Sequence, residues 1–158
     1  MAKSDSGLMS LTDIPAALGL LTRLPIPVDA GQATARGAKA AWAYPVVGLV
    51  LACLIGGPAW TISDFMPPAI LAALVLVALI TLTGALHEDG LADTTDGLWG
   101  GWEPARRLEI MKDSQIGSYG VIALVLSLLL RWLGLTAVNE AGILLPALIA
   151  VATLSRAG

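Results

Sequence analysis

Two stretches of this chain leave little freedom in how it can fold: residues 40–63 and 65–86 run for 24 and 22 positions without an Asp, Glu, Lys or Arg. A helix rising ~1.5 Å per residue crosses a hydrocarbon core with ~20 apolar residues, so each run is long enough for a span. Inside a bilayer every backbone polar group must be bonded internally, which leaves the α-helix as the form these runs take. Two shorter charge-free runs follow, 17 residues over 114–130 and 15 over 141–155. The rest of the chain agrees, with 56% hydrophobic and only 13% charged residues. Soluble domains carry ~25% charged residues, so a water-soluble globule is excluded. Disorder is excluded too, because it needs low hydrophobicity and high charge. Cys53 stands alone, so no disulfide framework is available.

The fold expected is an all-α, polytopic integral membrane helical bundle. Residues 1–158 form a single membrane domain, with spans near 40–63, 66–86, 115–131 and 141–156 and a loop over 87–114. Trp42 and Trp60 are 18 residues apart, a spacing that fits the two interfacial belts of the first span. Lys3, Arg23, Arg36 and Lys39 precede that span, and Arg106, Arg107 and Lys112 lie in the loop. The positive-inside rule therefore puts the N-terminus and the 87–114 loop in the cytoplasm, with Arg131 a lone exception on the far side. Charged residues interrupt the N-terminus, so no secretory signal is expected. Asp13-Ile14-Pro15 reads as a helix start, for an interfacial helix or a short re-entrant segment reaching residue 24. Pro25-Ile26-Pro27 ends it, and residues 29–39 read as a connector.

Specific chemistry concentrates in His87-Glu88-Asp89-Gly90-Leu91-Ala92-Asp93-Thr94-Thr95-Asp96-Gly97. Seven of the chain's twelve acids fall within residues 88–113, and the net charge is −3, which argues against nucleic acid as a partner. Four carboxylates in nine residues repel one another at a membrane boundary, so a positive group must be supplied. In a helix, Asp89, Asp93 and Asp96 share one narrow face while Glu88 is turned about 100° away. Oxygen ligands without cysteine select magnesium or manganese, and magnesium partners phosphates. The candidate metal ligands are thus Asp89, Asp93, Asp96 and Glu88, and the candidate substrate carries a phosphate or diphosphate. Helix capping accounts for one or two of these carboxylates but not for three on one face. His87 is a weaker candidate, more in keeping with an interfacial residue than a base. Arg106, Arg107 and Lys112 are candidate phosphate contacts, because guanidinium forks match phosphate oxygens, although the positive-inside rule alone would also place them here. Asp113 either caps the third span or turns into the metal site. Gly117 and Gly120 either expose N–H groups to a phosphate or allow close helix packing.

Residues 87–97, then Arg106-Arg107-Leu108-Glu109-Ile110-Met111-Lys112-Asp113-Ser114 and residues 117–120, resemble the cobalamin synthase family, the adenosylcobinamide-GDP ribazoletransferases. Leu21-Thr22-Arg23-Leu24-Pro25 and residues 42–48 are similar to the family's N-terminal region. The resemblance implies a multi-pass, Mg2+-dependent enzyme of the bacterial inner membrane. It implies that adenosylcobinamide-GDP reacts with α-ribazole or α-ribazole 5′-phosphate and that GMP is released. Family members are longer, which makes this chain the N-terminal part of the family domain. On this reading Asp93 is catalytic through its metal, and Glu88 or Asp113 orients or deprotonates the attacking hydroxyl, the choice staying open. The lipid bilayer is the remaining partner, and association of protomers stays open.

Two alternatives stand beside it. Asp93-Thr94-Thr95-Asp96-Gly97 also looks like the opening of the CDP-alcohol phosphotransferase motif, but Trp99-Gly100-Gly101 follows where that motif has an Ala-Arg pair. A non-catalytic membrane subunit binding a divalent cation is the other, and nucleotide dependence separates it from an enzyme.

Overall fold

The computed structural model describes residues 9–157; Lys3 and the rest of the first eight residues lie outside it, so their expected roles are not addressed. The described residues are helical with no strand: α1 (Asp13–Leu21), α2 (Ala30–Arg36), α3 (Tyr44–Thr61), α4 (Pro68–Thr83), α5 (Leu86–Gly100), α6 (Pro104–Ile110), α7 (Ser118–Glu140) and α8 (Leu144–Leu154). By length and composition Ala33–Thr61 and α7 can each cross a membrane, and the bent pair α4 and α5 makes a third if counted as one span. The chain is an all-α membrane protein.

The first span is longer than the charge-free run, because α2 and a 3-10 turn over Gly37–Ala43 lead directly into α3. The expected connector over residues 29–39 is therefore largely helical. The last expected span, 141–156, is an 11-residue helix, α8, that packs on α3. Lipid tails are as apolar as leucine, so helices in a bilayer associate through close packing of small residues. Gly48, Ala52 and Gly56 supply that stripe on α3, and all are buried. A Cβ on Gly48 would run into the Ala152 backbone carbonyl, so α3 and α8 are in backbone contact here. Ile55, Ala59, Leu71, Val75, Leu144 and Leu148 continue this core between α3, α4 and α8.

A second core holds α1 against the start of α3 through Ala17, Ala43, Val47 and Leu51. Its polar lock is Asp13, fully buried. Arg36 grips both carboxylate oxygens, Nε donating to Oδ1 at 2.7 Å and Nη2 to Oδ2 at 2.6 Å. The Trp42 indole N–H and the Ser10 amide also donate to Oδ2 at 2.7 and 3.1 Å. Arg36 and the hydrogen bonds around it hold the Asp13 carboxyl far below the usual carboxylate range. Trp42, expected at an interface belt, is thus tied to α1, whereas Trp60 is 58% exposed.

Between α4 and α5 the chain turns by 85°. Gly84 (φ 65°) and Ala85 (φ 59°) are both left-handed, and an alanine there costs about 1–2 kcal/mol. The Arg23 amide bonds the Leu82 carbonyl at 2.7 Å, bringing the N-terminal segment to the bend. A Cβ on Gly84 would strike the Arg23 side chain. The expected second span therefore stops at Thr83, and the expected loop 87–114 is mostly the helices α5 and α6. Glu88 and Asp89 in the first turn of α5 favour that helix start by facing its positive end.

The third span departs most from expectation. Rather than ending near residue 131, α7 runs on to Glu140 as one helix of 23 residues. Arg131 is inside it, where its guanidinium pairs with Glu88 of α5, and the next residue, Trp132, donates its indole N–H to the Ala69 carbonyl of α4 at 2.8 Å. Hydropathy counting treats a charge as the end of a span; here the charge is retained because it has a partner.

Candidate functional site

The acidic segment is helical throughout, so Asp89, Asp93 and Asp96 do share the face that their spacing sets. Burial then divides them: Asp89 is exposed, Asp93 is half-buried and Asp96 is 7% exposed. The reason lies in what Asp96 faces. Its Oδ2 accepts the Gly117 amide at 2.7 Å and its Oδ1 the Gly120 amide at 2.8 Å. These are N–H groups at the start of α7, which have no partner within their own helix. Asp96 thus caps α7 from α5, and a negative charge there also meets the positive end of the helix dipole. A Cβ on Gly117 or Gly120 would collide with that carboxylate, so both glycines are required for the close approach.

The carboxylates of Asp89 and Asp93, one turn apart, have no hydrogen bond or ion pair among the described residues. Nor do any three His, Cys, Asp or Glu side chains there form a ready metal cluster. Two unpaired carboxylates at adjacent turns repel each other, and this all-oxygen donor pair fits magnesium, which binds through one or two carboxylates while water and substrate phosphates complete its shell.

A polar pocket of 270 Å³ opens where α5, α6 and the start of α7 meet. Asp96, Arg106, Glu109, Asp113, Gln115 and Ser118 line it. It brings together Asp96, Arg106 and Asp113 of the expected site. Arg106 is exposed and pairs with Glu109 at 2.7 Å, and Asp113 is exposed with Oδ1 accepting the Gln115 amide at 3.1 Å. Such a surface pair is weak and leaves the guanidinium free to exchange partners. Arg107 does something else: its Nε donates to the Gly101 carbonyl at 2.8 Å, tying α6 to the end of α5. Lys112 is exposed and lines neither cavity described here.

Glu88 is turned away from the aspartate face, as the helical spacing requires, and lines a larger cavity of 510 Å³ between α4, α7 and α8, together with His87, Arg131 and Arg156. Sequence reasoning missed Arg131 and Arg156 as site residues. The signal for Arg131 was present, since an arginine between two apolar runs of one helix marks a buried partner.

Comparison with known proteins bears on the whole chain. The cobalamin-5-phosphate synthase family matches residues 13–158. An adenosylcobinamide-GDP ribazoletransferase of Azorhizobium caulinodans is 46% identical over 158 residues, covering 93% of this chain and 58% of the relative. The enzyme of the same name from Bradyrhizobium diazoefficiens is 44% identical over 150 residues, 94% of this chain and 57% of the relative. That of Ralstonia pickettii is 39% identical over 143 residues, 89% and 56% respectively. No solved structure matches. The chain spans about half the length of the curated relatives it matches. A match that begins at Asp13, within the buried lock on α1, and runs through every helix described above shows that this chain belongs to the cobalamin-5-phosphate synthase family.

Proposed function

We propose that this chain carries the phosphate-handling centre of an adenosylcobinamide-GDP ribazoletransferase, with α5 at the cytoplasmic face of the bacterial inner membrane. The single observation that carries the reading is the unpartnered pair Asp89 and Asp93, beside a capped helix start and a pocket holding Arg106, in a chain whose relatives bear that name. A ribose hydroxyl of α-ribazole or its 5′-phosphate attacks the phosphorus joined to the aminopropanol arm of adenosylcobinamide-GDP. The new P–O bond forms to the ribose oxygen, and the bond to the bridging oxygen breaks with its electron pair leaving on GMP.

In this scheme Asp89 and Asp93 hold Mg2+, which when bound supplies positive charge to the diphosphate. Asp96 is a positioning residue, fixing the aspartate face of α5 against the first turn of α7. Arg106 exchanges Glu109 for a non-bridging phosphate oxygen, a stronger partner for a guanidinium fork. Lys112, exposed and next to Asp113 in sequence, adds positive charge to this segment, and Arg107 holds α6 in place. A carboxylate outside the metal pair, Glu88 or Asp113, takes the hydroxyl proton; each has an oxygen with no hydrogen-bond partner among the described residues.

The test is GMP release from adenosylcobinamide-GDP and α-ribazole by membranes containing this chain. Release that requires Mg2+ and disappears in Asp93→Asn is expected. Release that persists in Asp93→Asn, or that ignores removal of the metal, contradicts the reading.

A further inference from the structure

The 510 Å³ cavity between α4, α7 and α8 contains an unbalanced set of polar groups. Its body is apolar, formed by Leu79, Leu135, Val138, Leu148 and Val151. Glu88 Oε1 accepts from Arg131, but Oε2 is buried without a partner. Arg156 lines the same cavity. Its Nη1 donates to the Ala152 carbonyl at 3.1 Å and to Ser155 Oγ at 3.3 Å, while its buried Nε has no acceptor. Glu88 and Arg156 do not pair with each other, so one carboxylate faces two guanidinium groups across low-dielectric walls. Buried polar atoms left unbonded cost free energy, and so does an uncompensated buried charge.

The missing partners define a ligand. Glu88 Oε2 needs a hydrogen-bond donor, Arg156 Nε needs an acceptor, and the excess positive charge calls for one anionic group. The walls call for an apolar body, and the volume lies in the range of a single compact ligand rather than the two acyl chains of a bilayer lipid. We propose that this cavity seats the acceptor alcohol as a compact apolar ring system carrying a hydroxyl and a phosphate, with the hydroxyl at Glu88 and the phosphate at Arg156. This rests on the transferase reading above and chooses Glu88 over Asp113 as the proton acceptor. Glu88 immediately precedes Asp89, about 100° around α5 from it, so the cavity and the aspartate face flank the same turn of that helix. The hydroxyl proton passes to Glu88 Oε2 as its oxygen bonds to phosphorus and GMP departs with the electrons of the broken P–O bond.

Gly134 makes the test clean. It lines the cavity, and a Cβ built there meets no heavy atom within 4 Å, so the side chain of Gly134→Leu starts in open space at the cavity wall. The protein is held in phosphatidylcholine nanodiscs, and equilibrium binding of α-ribazole 5′-phosphate and of α-ribazole is measured. Gly134→Leu is expected to weaken both by about tenfold or more, and Arg156→Gln to weaken only the phosphorylated probe by about tenfold, each with an unchanged melting temperature. Adding phosphatidylglycerol is expected to leave probe binding unchanged. Binding indifferent to both substitutions overturns the assignment, and displacement of the probe by phosphatidylglycerol overturns it in favour of a lipid site. GMP release that persists undiminished in Gly134→Leu removes the cavity from the reaction and leaves the transferase reading standing. Cavity-dependent binding with no GMP release from the unaltered chain overturns the transferase reading and keeps the binding site.

Discussion

Asp13 with Arg36 and Glu88 with Arg131 are two carboxylate–arginine pairs in one small protein, built from the same chemistry to opposite ends. Asp13 is fully buried and both its oxygens are bonded, by Arg36, Trp42 and Ser10. Glu88 has one oxygen on Arg131 and the other buried and bare, in a cavity that holds a further arginine. A satisfied pair specifies where helices sit, because removing either member leaves a buried charge alone. A half-satisfied pair is strained in the same currency and persists where a ligand completes it. The first locks α1 to the head of α3; the second places an incomplete group where α5 leaves the bend.

Substitution should separate the two pairs sharply. Glu88→Gln is expected to lower the rate of GMP release by about 10²-fold or more, the typical contribution of a proton acceptor, while the glutamine oxygen that still accepts from Arg131 keeps the loss of melting temperature smaller than that of Asp13→Asn. Asp13→Asn is expected to do the reverse, lowering the melting temperature while protein that remains folded keeps its rate. Equal losses of rate and stability in both variants would erase the distinction. The pH response sharpens it. The folded carboxyl of Asp13 titrates well below the unfolded one, so its contribution is complete above the unfolded value and is lost only as pH falls through the folded one. The melting-temperature gap between the unaltered chain and Asp13→Asn should therefore stay constant from about pH 7 to about pH 5.

Asp96 lies between these extremes, and Asp96→Asn tests it. Asparagine keeps one acceptor oxygen and loses the charge that faces the start of α7, so a loss of about 1–2 kcal/mol of stability is expected, read by denaturant unfolding. If instead stability is unchanged and Mg2+ affinity collapses, Asp96 is a metal ligand rather than a cap. The smallest effect is expected at the bend. Ala85→Gly relieves a left-handed alanine and should stabilise the fold by about 1 kcal/mol.

How much of this was legible in the sequence depends on how local each cause is. Membrane character and the family resemblance follow from runs and motifs, and the structure and the relatives bear them out. The common face of Asp89, Asp93 and Asp96 follows from helical spacing, and α5 keeps it. The cap that occupies Asp96 does not, since it depends on Gly117 and Gly120 arriving from another helix. The length of α7 was misjudged for a related reason: the partner that keeps Arg131 inside the span is 43 residues away in sequence. Trp42 read as an interface marker because nothing local joins it to Asp13. The cavity has no signature in the sequence, because its walls come from four separate helices.

The most direct test of the central claim, that α5 presents a metal to a nucleotide diphosphate, is Mn2+ binding followed by electron paramagnetic resonance in nanodiscs, with and without adenosylcobinamide-GDP. One ion is expected, with an affinity that rises when adenosylcobinamide-GDP is present, and it is lost when Asp89→Asn and Asp93→Asn are combined. Binding that ignores the nucleotide, or that survives both substitutions, would contradict that claim.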